Sequence, residues 1–114
     1  MSISSSVNTA IRGLAEAVAG TNEFMELKKA KVYLKRNQKL DAMMNEFERK
    51  QQAMSSPGIS QQEAQSLMME LSEDYENMIK IPEIQAYFNT SENFNKMFAE
   101  AMQSLHEAID YNLN

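Results

Sequence analysis

The chain contains no cysteine, and its 114 residues include one histidine, two prolines, three glycines and no tryptophan. The missing thiol excludes disulfides, thiolate metal sites, cysteine-held iron–sulfur clusters and a cysteine nucleophile. A single histidine leaves almost no material for nucleophilic catalysis. Gly13, Gly20 and Gly58 stand apart, so there is no phosphate-cradling glycine loop, and no Gly-x-Ser-x-Gly elbow is present. Turn punctuation and alternating β-branched residues are too sparse for a sheet protein. The most apolar early stretch, residues 7–20, is interrupted by Arg12 and Glu16 and is too short to span a bilayer. The first six residues lack a basic segment followed by an apolar one, so no secretory signal is expected.

Helix formers fill the space left by these absences: Ala, Met, Glu, Gln, Leu and Lys dominate. The apolar share, 43%, is ordinary for a folded protein. The length suits one domain, 1–114, with the first five residues expected to be flexible. The reading is an all-α bundle of about five helices with a long C-terminal helix.

The boundaries follow from local chemistry. Ser4–Ser6 offers hydroxyl caps for a first helix, in which Val7, Ile11, Leu14 and Val18 form one stripe before Gly20 stops it. Thr21 caps a second helix with Phe24, Leu27, Ala30 and Leu34 on one face. Asn37 breaks and re-caps the chain, and Leu40, Met43, Met44, Phe47 and Met54 line the third helix. Ser55-Ser56-Pro57-Gly58 is the clearest turn. Ser60 and Glu63 form a capping box ahead of Ala64, Leu67, Met68, Leu71, Tyr75 and Met78. Ile81-Pro82 then ends one helix and starts the next.

The last helix can run from about Pro82 to about Asn112, with Asn89-Thr90-Ser91 as a run of poor helix formers. Thirty residues at 1.5 Å each make roughly 45 Å, against a diameter of roughly 35 Å for a compact globule of this size. A helix that long exposes apolar positions unless another chain covers them. Self-association as a homodimer or higher oligomer is therefore expected. Its candidate contacts are Phe94, Phe98, Met102, Leu105 and Ile109.

Charge is unevenly placed. The net charge is −5, yet residues 28–50 carry eight basic side chains against three acids. Lys28, Lys31, Lys35 and Lys39 recur at spacings of three, four and four, so a nearly continuous helix would align them. Such a face can meet RNA or an acidic protein surface. With no interleaved exposed aromatic residue and an acidic chain overall, the run reads more simply as a solvated face beside Leu27, Ala30 and Leu34.

His106 lies near Glu107, Asp110 and Asn112, but metal sites are built from several converging ligands, and no metal is expected. Glu70, Glu73, Asp74 and Glu76 have no Glu-x-x-His partner and read as surface charge. Ten methionines mostly fall on the apolar stripes. Met69 and Met102, at stripe edges, suit an adaptable binding surface.

The sequence of elements resembles the YlbF/YmcA family of small helical bacterial proteins, also called the competence-regulator ComK control family. The resemblance lies in Leu14-Ala15-Glu16-Ala17-Val18, in residues 21–30 from Thr21 to Ala30, in residues 37–47 from Asn37 to Phe47 with Gln51, and in residues 81–88 from Ile81 to Phe88. It implies an all-helical, oligomer-forming, cytoplasmic protein. It also implies a place in regulatory complexes affecting competence, sporulation, biofilm formation and RNA processing through a membrane-associated ribonuclease. The best-studied members hold iron–sulfur clusters through cysteines. This chain has none, so cluster binding is not carried over and no cofactor is expected. The function read here is a non-enzymatic adaptor that binds itself and another protein. An RNA-binding accessory module using the Lys28–Lys39 face is the alternative, and a structural oligomer without a dedicated partner is a third reading.

Overall fold

A computed structural model describes residues 3–114 as five α-helices: α1 (Ser5–Ala19), α2 (Asn22–Lys35), α3 (Gln38–Met54), α4 (Gln61–Met78) and α5 (Pro82–Leu113). No strand occurs among the described residues. Part of the N-terminal stretch expected to be flexible, Met1 and Ser2, lies outside them.

The caps explain the boundaries. The Val7 N–H donates to Ser4 Oγ at 3.3 Å, the Phe24 N–H to Thr21 Oγ1 at 3.2 Å, and the Leu40 N–H to Asn37 Oδ1 at 3.2 Å. Each bond satisfies one of the four N–H groups that a helix start leaves unpaired. At α4 the Glu63 N–H donates to Ser60 Oγ at 3.1 Å, and the Ser60 hydroxyl donates back to Glu63 Oε1 at 3.1 Å. The glutamate thus returns to the serine hydroxyl, whereas a capping box would have it reach the backbone N–H. Gly20 closes α1 in an ordinary right-handed conformation, φ −86°. Gly58 sits at φ +85°, the left-handed region where a Cβ is penalised. Asn89-Thr90-Ser91 does not interrupt α5, whose 32 residues make a rod of about 48 Å.

The chain divides into two compact units. One comprises the described residues through Lys29 together with Asn89–Asn114; the other is Ala30–Phe88. The unit Ala30–Phe88 holds the core. Leu34, Leu40, Met44, Phe47, Met78 and Ile84 are buried, with Met43, Leu71, Ile81, Tyr87 and Phe88 packed around them. Ile84 is fully buried. It is placed there because the Ile81-Pro82 turn, held by Ile81 N–H to Met78 O at 3.0 Å, starts α5 directly over the end of α4. The Phe88 ring lies 5.3 Å from Tyr75 and 6.1 Å from Phe47 in tilted pairs, a favourable aromatic geometry.

In the other unit no described side chain is buried. Phe24 of α2 meets Phe94 at 6.0 Å, and Phe94 stacks on Phe98 at 5.9 Å. Of α1 only Val18 is half-buried, and every residue of α5 from Gln103 onward is exposed.

Candidate interaction surfaces

In α1, Val7, Ile11 and Leu14 recur at spacings of four and three, so they share one face of the helix. All three are exposed, at 47%, 49% and 37%. In α5, Phe98, Met102, Leu105 and Ile109 repeat the same arithmetic. Phe98, Leu105 and Ile109 are 41%, 45% and 51% exposed, whereas Met102 is half-buried. Of the five contact candidates read from sequence, Phe94 differs most: it is half-buried between Phe24 and Phe98. Both stripes belong to the unit without a buried side chain. They are amphipathic helix faces whose apolar side meets water in a single chain, a pattern that marks interaction sites when contiguous.

The basic run is divided by the turn between α2 and α3. Lys28, Lys31 and Lys35 lie on α2, which ends at Lys35, and Lys39 belongs to α3. In the unit Ala30–Phe88, Lys31 and Lys35 line a groove of about 210 Å³ opposite Asp41 and Glu48. Lys39 lines a different groove, of about 520 Å³, floored by Met43, Phe47 and Met78. The re-cap at Asn37, expected from the sequence, resets the register, so the three-four spacing of these lysines does not carry across it.

Two features revise the sequence reading of charge. Tyr33 lies within the basic run and is 59% exposed, with Val32 beside it at 42%. The run therefore does carry an exposed aromatic, because α2 turns Leu34 into the core and leaves its neighbours at 32 and 33 facing outward. The acids of α4 also divide. Lys50 Nζ donates to Asp74 Oδ2 at 2.7 Å and lies 3.8 Å from Glu70, linking α3 to α4. The Lys50 side chain is only 15% exposed. The hydrogen bond from Lys50 to Asp74 raises the lysine pKa against the opposing effect of desolvation. Asp74 is thus a tertiary anchor, beyond the solvated charge read from sequence. On α3, Arg49 grips Glu46 through two guanidinium nitrogens, one of them Nε at 3.0 Å. These bonds hold the glutamate below its ordinary value of 4.5.

A third groove, of about 320 Å³, lies in the other unit and is lined by Glu23, Glu26 and Glu100 with Lys96, among others. Among the described residues no three His, Asp or Glu side chains are grouped to hold a metal ion. His106 is exposed on α5. No helix among the described residues is long and apolar enough to cross a membrane.

Comparison with known proteins gives a family. A family model described as control of competence regulator ComK, YlbF/YmcA, matches residues 7–110. A UPF0342 protein of Caldicellulosiruptor saccharolyticus is 29% identical over 98 residues, covering 85% of this chain and 82% of that protein. No solved structure matches the chain.

Proposed function

Since the chain belongs to the YlbF/YmcA family, named for control of the competence regulator ComK, a regulatory role is the premise, and we propose that it is carried out by a non-enzymatic adaptor that assembles with copies of itself. The supporting observation is the pair of apolar stripes on α1 and distal α5, both roughly half exposed in a unit that buries no side chain of its own. Soluble monomers rarely leave contiguous apolar faces open, and a helix stripe at three-four spacing is the usual seam of helix association. A second copy supplies the same two stripes, so a two-fold arrangement covers both at once. In this reading Phe98, Met102, Leu105 and Ile109 form the seam, while Phe94 supports it from beneath. The protein then acts in the cytoplasm, and its output passes through a second protein held by the assembly.

The test is sedimentation of the full chain across nanomolar to tens of micromolar concentration. The reading requires a dimer or larger species that dissociates on dilution. A monomer at every concentration would overturn it.

A further inference from the structure

The corner between α2 and α3 has an unusual composition. From Lys28 to Leu40 the chain holds six cations and no acid, and none of the six enters an ion pair among the described residues. Four of them (Lys31, Lys35, Arg36 and Lys39) lie in the unit Ala30–Phe88, and all four are exposed. Tyr33 and Val32 are exposed beside them at 59% and 42%. The corner is tied by hydrogen bonds. Arg36 and Asn37 donate their N–H groups to the Tyr33 and Leu34 carbonyls at 3.3 and 3.0 Å, and Asn37 caps α3. Backbone held by such bonds before binding has less conformational entropy to lose on association.

We propose that this corner docks an acidic segment of a partner protein. Carboxylates of the segment meet Arg36 and Lys39, and an apolar side chain lies against Tyr33 and Val32. This inference rests on the adaptor reading, and it names the chemistry of the second protein. Charge complementarity selects the sign of the partner. Exposed Tyr and Arg side by side is also the composition of protein-binding hot spots. A nucleic acid fits less well. Its phosphate charge continues beyond a short patch, and the rest of this unit carries nine acids against Arg49, Lys50 and Lys80. A short acidic segment stops where the basic corner stops.

Fluorescence anisotropy of the full chain tests the proposal with three labelled probes. They are an amphipathic peptide of Glu and Leu about four helical turns long, the same peptide with Gln in place of Glu, and a single-stranded RNA with as many nucleotides as the peptide has residues. The Glu peptide is expected to bind and the Gln peptide to bind about tenfold more weakly. Arg36→Ala with Lys39→Ala lowers affinity for the Glu peptide about tenfold and flattens its salt dependence. Tyr33→Ala lowers affinity several-fold and leaves the salt dependence unchanged, and Tyr33→Phe restores it. All these positions are exposed, and helical circular dichroism checks the fold of each variant. Tighter binding of the RNA than of the Glu peptide would overturn the proposal in favour of a nucleic-acid site. Equal binding of the two peptides, or no binding of either, would overturn it outright. Sedimentation of the same samples separates the two ideas. An intact oligomer that ignores the Glu peptide removes this inference alone, and a monomer removes the adaptor reading.

Discussion

Replacing Leu105 and Ile109 together by glutamate perturbs the α5 stripe and nothing in the core. Both side chains are about half exposed in a single chain, at 45% and 51%, so association has about half of each left to bury. Complete burial of a Leu or Ile side chain stabilises by about 1.5–3 kcal/mol, so the remaining half is worth about 1 kcal/mol per residue. In a two-fold interface each position occurs twice, giving about 4 kcal/mol for the pair of substitutions. At 1.4 kcal/mol per tenfold, the dissociation constant rises about 1,000-fold. Glutamate adds like charge beside Glu107 and Asp110, so this is a lower figure. Helix propensity does not confound the result, because glutamate is at least as good a helix former as isoleucine. Sedimentation equilibrium from nanomolar to tens of micromolar reads the constant, circular dichroism checks helicity, and Ser104→Glu, exposed off the stripe, is the control. If the double variant keeps the oligomeric mass of the parent over that range, the stripe is not the seam and the area argument fails.

Ile84→Ala removes the most completely buried side chain and is expected to cost about 2–5 kcal/mol in urea unfolding monitored by circular dichroism. Gly58→Ala forces a Cβ into the left-handed region at φ +85°; unfolding should show a loss of about 1–2 kcal/mol, although open space surrounds that position. Asp74→Asn tests the Lys50 anchor through pH. A raised lysine pKa contributes stability that is fully present below the ordinary value of 10.5 and is lost as pH rises through the folded value. The parent should therefore lose stability as pH rises above the ordinary lysine value of 10.5, and the Asp74→Asn protein should show a flatter alkaline limb. Glu46 has the opposite sign: its stabilisation is present above its ordinary value of 4.5 and fades as pH falls through the lowered one. Glu46→Gln should flatten the acid limb of the same melting profile.

Helix boundaries were legible because they depend on a few neighbouring residues. Ser4, Thr21, Asn37 and Ser60 act within three positions of themselves, and Pro82 acts on the residue before it. The core was legible in outline, since Leu34, Leu40, Met44, Phe47 and Met78 fall on stripes of period 3.6. Four things were not. Asn89-Thr90-Ser91 stays helical because the per-residue penalty of such residues is small and tertiary context overrides it. The Lys50–Asp74 pair joins residues 24 positions apart, beyond the reach of any local pattern. Tyr33 was missed as an exposed aromatic because hydropathy places aromatic rings inside by default, and only the orientation of α2 turns it out. The lysines of the candidate basic face align by spacing only along a nearly continuous helix, and the re-cap at Asn37 sends Lys39 to another groove, a separation that spacing does not show.

Of the six side chains buried among the described residues, Met44 and Met78 are thioethers, whereas Met68 and Met69 stand 60% and 74% exposed on α4. Peroxide converts methionine to a polar sulfoxide. The α4 pair is attacked in the folded state, while Met44 and Met78 are reached when their surroundings open. A sulfoxide formed at either buried position no longer fits an apolar interior, so each opening event caught by oxidant is not fully reversed on closing. The endurance of this protein under oxidative stress is therefore set by how often its centre breathes, and methionine sulfoxide reductases become the enzymes that reset it.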